Sequence, residues 1–117
     1  MNTTPKSPSA HAARGKAKYP KRLPAAWTRI AGVFVALGDP HRQRILLMLD
    51  VAGRMNIGEI VAASTLSRSA VVHHLRVLRD AGVLKSERIG KEVQFWPDIA
   101  SVGAALATLQ DYLAERR

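Results

Sequence analysis

The sequence predicts a mostly α-helical domain with one small β-hairpin, in the order α-α-α-α-β-β-α. Three observations lead there. Apolar residues recur at spacings of three and four along successive stretches. Strong helix caps stand between those stretches. A pair of strand-like runs, Leu84 to Ile89 and Glu92 to Trp96, is separated by the two residues Gly90-Lys91.

A chain of 117 residues has room for one modest core, and a hydrophobic content of 47% is that of a folded body. With no cysteine, disulfides, thiol switches and thiolate metal sites are excluded. Residues 1–22 are rich in Pro, Ser, Ala and Lys without apolar periodicity, and are expected to form a disordered basic arm. The folded domain is expected over residues 23–117.

Pro24 opens a first helix whose apolar face is expected to be Trp27, Ile30, Phe34 and Leu37. Gly38 stops it. Asp39 then caps a second helix with Pro40 at its first position, where a missing N–H costs nothing. That helix runs through Ile45, Leu46, Leu49 and Val51 to Gly53. Asn56 and Glu59 form a capping box that starts a short third helix, with Met55 and Ile60 placed to staple it. After the turn at Thr65-Leu66, Ser67 caps a fourth helix that closes at Gly82. The hairpin follows, Pro97 ends it, and Asp98 caps a last helix with Ile99, Val102, Leu106, Leu109 and Leu113 in a three-four repeat.

On a wheel of the fourth helix, Ala70, Val71, Leu75 and Leu78 face inward. Arg68, Ser69, Val72, His73, Arg76 and Arg79 face out, with no carboxylate among them. A helix of this kind fits the major groove of B-DNA and reaches base edges with its N-terminal residues. The candidate reading residues are therefore Ser67, Arg68, Ser69, Val72, His73 and Arg76. Lys85, Arg88 and Lys91 lie on or beside the hairpin, where they can reach phosphate. A helix-turn-helix followed by a basic ribbon is a winged helix.

The first and last helices carry more apolar surface than one short core needs. A symmetric homodimer through Trp27, Ile30, Phe34, Val102, Leu106, Leu109 and Leu113 is expected, helped by the small residues Gly103, Ala104, Ala105 and Ala107. Such symmetry places two reading helices about 34 Å apart, one DNA turn, on a pseudo-palindrome.

The net charge of +9 favours a polyanionic partner, and six of the basic residues fall in 1–22 with no acid. The longest uncharged stretch, Ile99 to Gln110, is well short of the ~20 apolar residues that span a bilayer. No membrane association and a cytoplasmic location are expected. No nucleophile–base pair, phosphate-binding Gly-rich loop or metal constellation is visible, so an enzyme is not expected, and neither is a cofactor.

The run Ala36-Leu37-Gly38-Asp39-Pro40-His41-Arg42-Gln43-Arg44-Ile45-Leu46 resembles the opening pattern of the ArsR/SmtB winged-helix regulators. Leu66 to Leu78 resembles that family's recognition-helix signature, and Ala81-Gly82-Val83-Leu84 with Arg88-Ile89-Gly90-Lys91 resembles the entry to its wing. The resemblance covers roughly residues 24–115 and implies a dimeric operator-binding repressor released by an effector. The chain departs from the family's metal sensors. Asn56 and Gly58 stand where the resemblance places two cysteines, and the last helix has Asp98, Asp111 and Glu115 but no histidine. The effector is therefore expected to be something other than a metal.

Of the four histidines, His11 lies in the arm and His41 in the first turn of the second helix. His73 and His74 point about 100° apart and cannot chelate one ion well. His73 is expected to meet DNA and His74 to pack at the helix flank. The competing readings are a protein-binding adaptor and a non-specific nucleic-acid binder driven by the arm.

Overall fold

A computed structural model describes residues 16–116. Residues 1–15, the larger part of the expected arm with His11, lie outside the described residues. Residues 16–24 are exposed and carry neither helix nor strand.

Helix α1 spans Ala25–Leu37. The carbonyl of Pro24 accepts from the backbone N–H groups of Trp27 and Thr28. Helix α2 spans Pro40–Ala52, and the Asp39 carboxylate accepts from the N–H of His41 at 2.8 Å and of Arg42 at 3.2 Å. This satisfies two donors that every helix start leaves free. Gly53, at φ +88°, ends α2 in a conformation that side-chain-bearing residues rarely adopt.

The next two residues, Met55–Asn56, form a strand β1 absent from the sequence-based expectation. Helix α3, Ile57–Ala63, starts from the capping box as expected. Asn56 Oδ1 accepts from the Glu59 N–H at 2.8 Å, and Glu59 Oε1 accepts from the Asn56 N–H at 2.9 Å. Helix α4 spans Arg68–Asp80 under its Ser67 cap. It closes with the Gly82 N–H donating to Arg79 O and the Val83 N–H to Leu78 O, the paired bonds of a left-handed helix stop. A Cβ on Gly82, at φ +80°, would lie 3.0 Å from Ser101 Oγ, so shape and backbone both select glycine there.

Strands β2, Leu84–Ile89, and β3, Glu92–Pro97, pair antiparallel about the Gly90-Lys91 turn. β1 adds on the other side of β3, giving the order β1-β3-β2. Helix α5, Ile99–Ala114, starts where Asp98 Oδ1 accepts from the Ser101 N–H. An isolated hairpin is marginal in water. This one is held by its third strand and by Phe95, which is buried with Leu49, Ile60, Val71, Leu75, Leu78 and Val83 in one core. Each such side chain contributes about 1.5–3 kcal/mol on burial.

The helix faces differ in part from the expected ones. In α1 the buried stripe is Ile30, Val33 and Ala36, and Phe34 stays 49% exposed. Five consecutive residues from Gly32 to Ala36 are small or apolar, so periodicity alone left the inward face open by one residue. Val51, expected in the apolar run of α2, is 89% exposed. In α5, Val102, Ala105 and Leu109 turn inward, while Ile99, Leu106 and Leu113 turn out. Trp27 and Tyr112 meet edge to face at 5.1 Å and tie α1 to α5 within the chain.

Candidate nucleic-acid interface

Helix α4 presents the expected outward residues. Ser67, Arg68, Ser69, His73, Arg76 and Arg79 are exposed, and Val72 is half-buried. Ser67 Oγ accepts from the Ala70 N–H at 3.2 Å, which fixes the angle at which the first turn leaves the body. Asp80 closes the far end and pairs with Arg79 at 3.7 Å, away from the N-terminal residues.

The hairpin stands beside this helix, and two adjoining clefts lie between them. One is lined by Arg68, Lys91, Glu92 and Val93 with the start of α3. The other is lined by Val72, Leu75, Arg76, Arg79, Val93 and Phe95. Arg68, in the first turn of α4, and Lys91, in the hairpin turn, thus share one concave surface.

Register decides which hairpin cations can join them. Side chains alternate across a strand, and directly paired residues point to the same face. Arg88 pairs with Val93, and Ser86 with Phe95, so Arg88 lies on the face turned toward α4. Lys85 pairs with Trp96 and lies on the opposite face, at the hairpin base. With about 3.3 Å of rise per residue, it is roughly 16 Å along the strand from the turn. The three expected hairpin cations are all exposed, but only Arg88 and Lys91 stand on the α4 side.

Two acids in the hairpin are already engaged. Glu87 Oε1 lies 3.1 Å from Arg54 Nη1, and Glu92 Oε2 accepts from Asn56 Nδ2 at 3.0 Å. Each is held by a residue at or beside β1, which lessens its repulsion of an approaching phosphate. Arg54 also lies over the Trp96 ring, 3.8 Å from its centroid.

His74 differs from expectation. It is 9% exposed, facing α2 rather than lying on the flank. Its Nδ1 lies 3.2 Å from Arg42 Nη1, and its ring is 5.9 Å from that of His41 and 5.6 Å from that of His73. Burial holds its pKa below the ordinary imidazole value. The positive charge of Arg42 acts the same way, and the Asp39 carboxylate opposes both. The spacing Val71, His74, Leu75, Leu78 puts His74 on the inward stripe, a signal present in the sequence but overridden by its polarity. Arg42 and Arg54 were also missed as positioning residues, because the contacts that give them that role, to His74 and to Glu87, are each made across more than thirty residues.

The expected pairing surface divides. Ile30, 4% exposed, is a core residue of its own chain, and Trp27, Val102 and Leu109 are half-buried against that core. Phe34, Leu106 and Leu113 remain 49%, 42% and 54% exposed. Beside Leu106, an apolar groove of about 350 Å³ runs between α2 and α5 past Leu46, Leu47, Ile99 and Val102. Among the described residues, no group of three or more His, Cys, Asp or Glu side chains converges as a metal site. No helix among them is long and apolar enough to cross a membrane.

Residues 39–86 match the family model described as "Bacterial regulatory protein, arsR family". The chain is 31% identical over 90 residues to the HTH-type transcriptional regulator YgaV of Escherichia coli strain K12, covering 77% of this chain and 91% of that protein. It is 35% identical over 63 residues to the transcriptional repressor SdpR of Bacillus subtilis strain 168, covering 54% of this chain and 69% of that protein. Among solved structures, an ArsR-like transcriptional regulator from Rhodococcus sp. RHA1 superposes with a TM-score of 0.73 at 28% identity. That match covers 79% of this chain and 86% of the other.

Proposed function

The chain belongs to the arsR family of bacterial regulatory proteins, and we propose that it is a cytoplasmic homodimeric repressor that reads a pseudo-palindromic operator and is released by a non-metal effector. It is a DNA-binding transcriptional regulator and not an enzyme. The finer reading rests above all on one observation, the shared concave surface of Arg68 and Lys91, with Ser69, Val72, His73 and Arg76 following along α4.

In this reading α4 enters the major groove. Arg68 donates two hydrogen bonds to a guanine edge, and Val72 touches a thymine methyl. Ser67, Ser69, His73 and Arg76 supply further donors and hydroxyls. Lys91 and Arg88 bind phosphate beside the groove and set register without reading sequence. Lys85 meets only a backbone that wraps round the outer hairpin face. The arm of residues 1–22 adds non-specific attraction.

Phe34, Leu106 and Leu113 form the centre of the pairing surface, with Trp27, Val102 and Leu109 completing its rim. Their exposure supports the dimer, since large apolar side chains left in water favour association. The groove between α2 and α5 adjoins Leu106, and its size suits a small organic effector. Repression follows the relative named as a repressor.

The test is binding of the full chain to duplexes from its own promoter and to random duplexes of equal length, across a salt series. A regulator of this kind prefers its operator by about a thousandfold or more. Equal affinities with a steep salt dependence mean a non-specific binder, and no binding to either means a protein adaptor.

A further inference from the structure

The Arg42 side chain is only 12% exposed and lies at a junction of three helices. Its Nε donates to Ala36 O at 2.7 Å, and its Nη2 to Val35 O at 3.2 Å. Both carbonyls lie in the last turn of α1, where the helix runs out of its own donors; Val35 O also accepts from the Gly38 N–H at 3.3 Å. Its Nη1 reaches His74 Nδ1 on the buried side of α4 at 3.2 Å. Arginine has donors only and does not lose its proton in proteins. His74 Nδ1 must therefore be the acceptor, so the ring is neutral with its proton on Nε2. An imidazolium carries N–H on both nitrogens and would set donor against donor and cation against cation.

We propose that the Arg42–His74 pair positions the recognition helix for DNA, and does so only while His74 is neutral, so that acidification loosens α4 and releases DNA. This rests on the DNA-binding reading of α4. Asp39, His41 and Arg42 face His74 from α2 and its cap, and His73 from α4 itself. Asp39 alone favours the protonated ring. Its carboxylate is already shared among the N–H groups of His41 and Arg42 and the guanidinium 3.9 Å away. A proton on His74 Nδ1 thus meets the Arg42 guanidinium instead of a free carboxylate, and burial and the positive charge of Arg42 resist protonation to below the ordinary imidazole range. Above that range the pair is intact. Below it, each proton taken up opposes the arrangement that DNA requires. His74 touches no base in this account; it acts through the helix that carries Arg68 and Arg76.

The experiment compares operator affinity between pH 8 and pH 5, at fixed ionic strength, for the full wild-type chain and for His74→Gln. Glutamine offers Arg42 an acceptor and does not titrate. Wild-type affinity is expected to be flat above about pH 6.5 and then to fall, losing about tenfold more than the variant by pH 5. Parallel profiles overturn the proposal. Failure of wild type to prefer operator at pH 7.5 overturns the DNA reading instead, so the two failures are distinct. Ring NMR of wild type without DNA provides a readout that needs no variant. His74 is expected to titrate below the ordinary value, with the amides of α4 and of Val35 and Ala36 shifting at the same midpoint. A normal His74 titration, or one to which those amides are silent, contradicts the coupling.

Discussion

Arg54 holds its guanidinium 3.8 Å from the centroid of the Trp96 ring and 3.1 Å from Glu87, joining the end of α2 to the outer face of the hairpin. The hairpin is therefore braced on its outer face, while its inner face packs beside α4. Arg54→Ala is expected to lower stability by only about 0.5–1 kcal/mol, since the contact is half-exposed. It should weaken operator and random duplexes by the same factor, because only phosphate contacts shift. Chemical denaturation and fluorescence anisotropy measure both. A change in the operator-to-random ratio would count against this role.

Arg68 and Lys91 share a cleft but are assigned different tasks. Arg68→Ala should erase about 1–3 kcal/mol of preference for operator. Lys91→Ala should weaken every duplex alike and flatten the slope of log affinity against log salt by about one. Salt titrations on both duplexes separate the effects. Equal losses from Arg68→Ala on operator and random DNA would remove it from base reading.

For assembly, the residues to test are those the chain leaves uncovered. Phe34→Glu or Leu106→Glu should yield a folded monomer, because neither side chain fills the core. Sedimentation velocity should show halved mass with an unchanged far-ultraviolet circular dichroism spectrum. An intact dimer in both variants would place the interface elsewhere. Ile30→Ala is expected instead to act mainly on stability, by about 2–5 kcal/mol, as a buried core truncation.

Stability should fall with acid in two stages. His74 is held below its ordinary pKa, so the unfolded chain binds a proton first; stability drops from about pH 6.5 until the folded-state ring also titrates. Asp39 comes later. Its partial desolvation raises the pKa, but the N–H groups of Arg42 and His41 and the charge of Arg42 lower it on balance. Its contribution is complete above the ordinary carboxylate range and is lost as pH falls through the folded value. Denaturation curves at stepped pH should show both stages in wild type and only the second in His74→Gln. A first stage surviving in the variant would assign it to another group.

The elements legible in the sequence were those written locally. Asp39-Pro40, the Asn56–Glu59 box, Ser67, the Gly82 stop and the Gly90-Lys91 turn each act within a few residues, so the order of helices and the hairpin followed from them. The outward residues of α4 followed from periodicity, because the inward stripe of Val71, Leu75 and Leu78 sets the register of the helix, although His74 on that stripe was hidden by its polarity. Strand β1 was not legible, since two residues leave no period and its partners Gln94 and Phe95 are far along the chain. The choice of Val33 over Phe34 for the interior depends on what α1 meets. Lys85 was grouped with Arg88 by proximity, although their spacing of three puts them on opposite faces of a strand.

Selection of duplexes from a random pool by the full-length chain, followed by sequencing, tests the groove-reading role of α4 most directly. The expected result is an enriched motif of two inverted half-sites centred about 10 base pairs apart, with bases at one position of each half-site relaxed in Arg68→Ala. A pool unchanged by selection, or the same motif returned by wild type and Arg68→Ala, would contradict it.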